Sequence, residues 1–164
     1  MGAPQARRVG VPIAIVHITD LDDPRIAAYR HVTDRALLEQ RGAFVAEGRS
    51  VVERLLASGW GTESLLVTPT ALDALGAPVG LQDVSIFVVE QGLMNTTVGY
   101  NIHRGCLALG RRPPARTWTS FEGARCLVAL EAISNADNVG STFRNAAAFG
   151  ADGVLLDPRT TDPL

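Results

Sequence analysis

Short apolar runs punctuate the chain at 12–18, 44–46, 64–68, 85–89, 106–109, 126–130 and 153–156, each bounded by polar, glycine or proline residues. Runs of this length with aliphatic side chains predict strands rather than helices. Between several of them the apolar positions fall three and four apart. Asp23 and Pro24 supply a cap and a first-turn proline, so a helix is expected from there to about Gln40. It turns Ile26, Tyr29, Ala36 and Leu37 inward and Arg30, His31, Asp34 and Arg35 outward, and stops at Gly42. Residues 47–49 form a tight turn into a second helix with Val51, Val52, Leu55 and Leu56 as its apolar stripe and Gly59 as its end. A short helix covers 69–75. Strands alternating with helices indicate an α/β layer fold.

The most regular stretch is 126–156. After the strand at 126–130 comes a short polar loop, then a helical pattern in which Val139, Phe143, Ala146, Ala147 and Gly150 share a face. Asn138 is the expected N-cap and Gly150 the stop. Only Ala151 and Asp152 separate the helix from the next strand, which predicts a right-handed βαβ unit with parallel strands. Ligands of such units sit outside the carboxyl ends of the strands, so 131–141 is the expected binding loop. Glu131, Ser134, Asn135, Asp137, Asn138, Ser141 and Arg144 gather there, and the opening turn of the helix favours an anionic or electron-rich ligand. These residues leave two roles open for Arg144. Its planar, permanently charged fork either reaches over the loop to a ligand or pairs with Glu131 or Asp137. The loop is not G-x-G-x-x-G, and the chain contains no lysine, which removes Walker A and Schiff-base chemistry.

The run Asn138-Val139-Gly140-Ser141-Thr142-Phe143-Arg144, then Ala146, Phe149-Gly150 and Val154-Leu155-Leu156, with Glu131 just before the loop, resembles the first conserved motif of the SpoU (TrmH-type) RNA 2′-O-ribose methyltransferases of the SPOUT superfamily. The segments 44–48, 65–68 and 101–108 are similar to the substrate-binding domain that precedes the catalytic domain in many SpoU enzymes, a domain resembling ribosomal proteins that bind kinked RNA. The resemblance implies two α/β domains. An RNA-binding domain occupies 1–112, and the first βαβ part of a SPOUT (α/β knot) methyltransferase domain occupies 113–164. The boundary is expected within 110–119, where Pro113-Pro114 breaks regular structure. It further implies S-adenosylmethionine as methyl donor, structured ribosomal or transfer RNA as partner, and a homodimer for a full-length family member. SpoU enzymes carry two later motifs that bind most of the cofactor, and 157–164 stop before either, so the chain is expected to be an N-terminal portion, inactive alone. By the same resemblance Arg144 contacts the ribose or a neighbouring phosphate, Asn138 fixes the loop and Glu131 orients Arg144. Because a guanidinium is effectively never deprotonated, stabilisation of the developing alkoxide is favoured over literal base catalysis. RNA contact is carried over to Arg49 in the 47–49 turn and to His103 and Arg104 in the loop 99–104.

Composition adjusts this picture without overturning it. A net charge of −2 and a sequence pI near 5.9 argue against coating nucleic acid by charge alone. The distribution is uneven, however: residues 1–54 carry a net +1, 55–103 −4, 104–125 +4 and 126–164 −3. Arg104, Arg111, Arg112, Arg116 and Arg125 are therefore candidates for a basic, phosphate-holding surface, with a solvated linker as the alternative for 111–116. No apolar run approaches the roughly 18 residues of a membrane span, and the N-terminal stretch lacks the long apolar core of a secretory signal. Cys106 and Cys126, the two cysteines of the chain, sit in apolar segments, which fits a reduced cytoplasmic protein with buried thiols. His103 and Cys106 form an H-x-x-C pair without a second pair nearby, short of the four ligands of structural zinc. No G-x-S-x-G elbow supports a hydrolase. Two further readings stand beside the methyltransferase: an RNA-binding module without catalysis, and a nucleotide-binding α/β protein unrelated to RNA.

Overall fold

The computed structural model describes residues 14–32, 35–76, 84–114 and 116–164, with the side chains of 31 and 35–37 outside the description. The chain divides into two units, Met1–Pro113 and Pro114–Leu164.

The first unit is built on a five-stranded sheet in the order β1-β4-β3-β5-β2. Its strands are β1 (Ile15–His17), β2 (Ala43–Glu47), β3 (Thr62–Val67), β4 (Ser85–Val88) and β5 (Cys106–Arg111). β1, β4 and β3 run parallel, and β5 is antiparallel to both of its neighbours. Helices α1 (Arg35–Gln40), α2 (Arg49–Ala57), α3 (Pro69–Leu75) and α4 (Gln91–Val98) connect them. The core gathers Ile26, Tyr29, Leu66, Met94, Leu107 and Leu109, all at most 1% exposed. β5 packs so tightly that a side-chain carbon at Gly110 would lie 2.7 Å from Cε1 of Phe44, whose ring is held edge-on by Trp60, centroids 6.0 Å apart.

Several expectations are corrected here. The helix foreseen from 24 to 40 is a 3-10 segment, Pro24–His31, followed separately by α1. Ile26 and Tyr29 then share a face by the three-residue repeat of that form, and the Tyr29 hydroxyl meets Ser64 Oγ at 2.9 Å. Asp23 caps the segment as expected, accepting from the Arg25 backbone N–H. Ala36 and Leu37, expected inward, and Asp34 and Arg35, expected outward, lie outside the described side chains, as does 12–13 of the first strand. Val51 is 51% exposed, because the buried stripe of α2 is Val52, Leu55 and Leu56 and Val51 falls at its edge. Helix α4 has no sequence signature: Gly92, Asn95, Thr96 and Thr97 are poor helix formers. Its threonine hydroxyls bond back to Gly92 and Leu93 carbonyls at 3.0 and 2.8 Å, and Met94 and Val98 anchor it to the core.

The second unit is a parallel pair, β6 (Leu127–Leu130) and β7 (Gly153–Leu156), joined through α5 (Ala136–Ala148). This is the βαβ unit the spacing predicts. The helix starts earlier than expected, however: Asn135, not Asn138, is the N-cap, its side chain accepting from the Asn138 N–H at 3.0 Å. Among the described residues of this unit only Val139 and Ala146 are buried hydrophobics. The strands foreseen as buried are half-exposed, and Cys126, expected buried, is exposed. One helix cannot cover both faces of a two-stranded sheet. Among the described residues no helix is long and apolar enough to cross a membrane.

Candidate functional site

In the first unit, four connections converge at one end of the sheet. The β2–α2 turn is tied to β5 by the Gly48 N–H donating to the Cys106 carbonyl at 2.9 Å, and Thr68, just past β3, donates its N–H to the Gly105 carbonyl at 2.9 Å. The loop before β5 is fastened to α4 by an amide network. Gln91 Nε2 donates to Asn95 Oδ1 at 2.9 Å and to the Ile102 carbonyl at 2.8 Å, while Asn95 Oδ1 also accepts from the Ile102 N–H at 3.0 Å. Around this junction opens a cavity of about 830 Å3 whose lining includes Arg49, Thr68, Glu90, Gln91, His103 and Arg104. The size is within the roughly 300–1,000 Å3 typical of ligand pockets.

Gly48 has φ +88°, a conformation that side chains resist, and it leaves the first turn of α2 without a side-chain cap. The Arg104 side chain lies over it, with Cδ 3.6 Å and Nη1 3.9 Å from where a Cβ would stand. Arg104 makes no ion pair among the described residues. Arg49 reaches Glu53 Oε1 at 3.6 Å and the Ala74 carbonyl at 3.4 Å, both exposed contacts that cost little to surrender. Beside the cavity, the Tyr100 hydroxyl donates to Glu47 Oε2 at 3.2 Å, and burial, then the Glu47 charge, push its pKa up to about 12. Burial likewise pushes the Cys106 thiol up to about 11, so it stays a neutral, inert group. Among the described residues no three His, Cys, Asp or Glu are grouped to hold a metal.

Arg49, His103 and Arg104 are thus brought together, and Arg111 and Arg112 are not with them. Arg104 precedes β5 and Arg111 ends it, the strand itself spanning about 17 Å at the usual rise. Arg111 faces Glu63 Oε1 at 3.6 Å, and the Arg112 N–H donates to the Gly42 carbonyl at 2.8 Å, beside β2 at that far end. Arg116 and Arg125 belong to the second unit, where the Arg125 N–H is bound by Asp152. Within the first unit the basic surface expected over 104–125 is therefore divided, with Arg104 at one end of β5 and Arg111 and Arg112 at the other.

In the second unit the β6–α5 loop is held by a segment that the sequence reading left without a role. Ala132 has φ +53°, the one positive value among described non-glycine residues, and its N–H donates to Asp157 Oδ1 at 2.9 Å. The Thr160 hydroxyl donates to the same carboxylate at 2.7 Å, and Arg159 Nε donates to Oδ2 at 2.9 Å. Thr161 donates its N–H to the Ile133 carbonyl and its hydroxyl to the Ser134 carbonyl, at 2.8 and 2.6 Å. The Ala132 bond, then Thr160 and Arg159, hold the Asp157 carboxyl well below the usual carboxylate range. Asp-Pro at 157–158 was the available signal, since that pair favours a turn.

Glu131 is corrected here. It pairs with Arg159 at 3.0 Å and does not orient Arg144. Arg144 stands in the third turn of α5, lies over Gly140 and donates Nη2 to Ser141 Oγ at 2.9 Å, with no ion pair among the described residues. Asn138 lies in the first turn with its side chain exposed, its carbonyl accepting from the Thr142 hydroxyl at 2.9 Å.

This arrangement, an α/β unit with a cationic cavity followed by a βαβ unit presenting an arginine from its helix, was compared with known proteins. An uncharacterized tRNA/rRNA methyltransferase of Mycobacterium tuberculosis is 32% identical over 152 residues, covering 90% of this chain and 53% of that protein. The AdoMet-bound rRNA methyltransferase of Sinorhizobium meliloti superposes with a TM-score of 0.72 at 22% identity, over 91% of this chain and 57% of the other. The SpoU methyltransferase AviRb of Streptomyces viridochromogenes gives 0.67 at 18%, over 85% and 53%. The chain is similar to RNA methyltransferases, and its fold is that of SpoU-type structures. An RNA 2′-O ribose methyltransferase structure adds a TM-score of 0.61 at 25% identity, over 90% and 57%. No family model matches the sequence. The SpoU likeness runs through both units, and the chain spans about half the length of the relatives it matches.

Proposed function

We propose that this chain serves an S-adenosylmethionine-dependent RNA ribose 2′-O-methyltransferase, with the first unit contacting structured ribosomal or transfer RNA and the second contributing Arg144 to the reacting ribose. The observation that carries the reading is Arg144: it stands in the SpoU motif with its guanidinium held only by Ser141 and uncommitted to any described carboxylate. A buried or paired guanidinium has its charge spent. This one can turn to an RNA ribose or phosphate. A ribose 2′-hydroxyl is a weak nucleophile until it loses its proton, and a fixed guanidinium beside it lowers the cost of the alkoxide that develops. Ser141 and the α5 backbone set the direction of the fork, with Asn138 assigned to the loop-facing first turn of the same helix.

The methyl donor finds a poor fit in these residues. Glu131 and Asp157 beside the loop are committed to Arg159, Ala132 and Thr160, which leaves Asp137, and among the described residues of this unit only Val139 and Ala146 supply buried apolar surface. The proposal therefore assigns the cofactor mainly to residues other than these 164, and the 164-residue chain alone to RNA binding without methyl transfer.

The test is methylation of RNA by a polypeptide extended to the length of the relatives, read as labelled methyl incorporated at positions that then resist alkaline cleavage. Arg144→Ala lowers turnover by about two to three orders of magnitude at unchanged cofactor affinity, as for loss of one preorganised charge-stabilising donor. Arg144→Lys restores little, because a point charge does not reproduce a planar fork. Near-normal turnover in either variant returns Arg144 to a structural role, whereas RNA binding without methyl incorporation by the unaltered extended polypeptide leaves an RNA-binding module as the better reading.

A further inference from the structure

The cavity of the first unit has two chemically opposite sides. Resting on the reading that this cavity contacts RNA, we infer that it receives one unpaired guanosine, with a flanking phosphate on Arg49 and Arg104 and the base edge on Glu90 and Gln91. The donor side is the guanidinium pair from the start of α2 and the loop before β5. The acceptor side comes from the start of α4. Glu90 is the N-cap residue of that helix, yet its side chain makes no capping bond and no ion pair among the described residues, so both carboxylate oxygens are available. Gln91 is oriented by the Ile102 carbonyl, which only accepts, so Nε2 must point to it at 2.8 Å. Nε2 also serves Asn95 Oδ1, and the atom left for a ligand is Oε1, another acceptor.

A base matched to this side must present adjacent donors. Guanine does so through N1–H and the N2 amine, spaced for two carboxylate oxygens. Adenine and cytosine set a ring acceptor beside their amine, and uracil flanks its one N–H with two carbonyls, so each brings an acceptor against the carboxylate. The guanine edge in question is the one used in pairing, so the nucleotide must be unpaired. Proteins read RNA bases by this route, in loops and bulges, with aromatic or imidazole rings as stacking surfaces, and the exposed His103 of the same lining offers one.

The test measures anisotropy of four labelled hairpin RNAs, identical except for G, A, C or U at one unpaired loop position, against the 164-residue chain. The guanosine hairpin binds about tenfold more tightly than the other three, within the discrimination of one bidentate base contact. Glu90→Gln, which replaces one acceptor by a donor, brings all four to similar affinity. Arg49→Ala and Arg104→Ala weaken all four alike. Equal binding of the four RNAs by the unaltered chain, or a guanosine preference that survives Glu90→Gln, overturns the base assignment while leaving RNA contact intact. Failure to bind any of the four strikes the RNA reading itself, and the guanosine assignment with it. Free GMP at millimolar concentration leaves the guanosine hairpin mostly bound; full displacement by GMP makes this a mononucleotide site and overturns the assignment to RNA.

Discussion

Leu66 of β3 and Leu107 of β5 are wholly buried, whereas Leu127 of β6 and Leu156 of β7, in strands of the same apolar pattern, are each 37% exposed. The two units draw on similar residues, and the difference lies in the layers available to cover them. Five strands with helices packed against them enclose a core. Two strands and one helix enclose almost none, and Phe149 at the end of α5 is left 89% exposed. The unit with the closed core holds the cavity, and the unit with the open one holds the stretch that resembles the SpoU motif, so the proposed binding and the proposed chemistry rest on scaffolds of unequal stability.

The largest expected effect separates the two cores. A piece of about 50 residues sits near the size at which a single core barely supports itself, so 116–164 exchange amide hydrogens faster than 43–109. Leu66→Ala lowers the exchange protection of the first unit by about 2–5 kcal/mol, and Val128→Ala, on a half-exposed strand, costs less than about 1 kcal/mol. Equal protection in both halves, or equal cost for the two substitutions, breaks the comparison.

A smaller effect sharpens it through pH. Cys106 has a folded-state pKa of about 11 against an ordinary 9.0, so its contribution is complete below pH 9 and is lost as pH rises through 11. The buried Tyr29 hydroxyl is raised as well, chiefly by burial, and acts in the same direction. Asp157 and Asp152 are lowered from 3.8 by backbone donors, so their contribution is complete above pH 4 and fades as pH falls below it. Asp23 adds a minor acid response in the first unit, from 3.8 down to about 2. Amide exchange therefore shows Ala132 and Ile133 loosening in acid while Leu66 and Leu107 hold, with the β3 and β5 amides loosening first from the alkaline side. Asp157→Asn blunts the acid response. Simultaneous loss in both units at either extreme contradicts the assignment.

What the sequence made legible follows the same division. Strands reveal themselves by short apolar runs, and the residue types at 138–144 mark the motif because their spacing is local. Pairings across long separations do not: Glu131 and Arg159 are 28 residues apart, and nothing in either neighbourhood favours that partner over Arg144. Asn135 and Asn138 are equally good caps as residues. Asn135 is the cap because the Asn138 N–H lies within reach of its side chain. Helix α4 escaped notice because Met94 and Val98, buried by tertiary packing, override a run of weak helix formers, and with it went Glu90 and Gln91. Arg49 and His103 follow from resemblance, and Arg104 both from resemblance and from the net charge of 104–125. Their convergence depends on the Gly48 turn and on the amide network under the loop, neither of which has a periodic signature.

The central claim, that the cavity of the first unit holds RNA phosphate, is tested most directly by the salt dependence of RNA binding to the 164-residue chain. Affinity for a structured RNA falls as salt rises, and Arg49→Ala and Arg104→Ala each flatten the logarithmic slope by about one unit, while Arg111→Ala, at the far end of β5, leaves it unchanged. A slope that ignores Arg49 and Arg104, or one that responds to Arg111 instead, would contradict it.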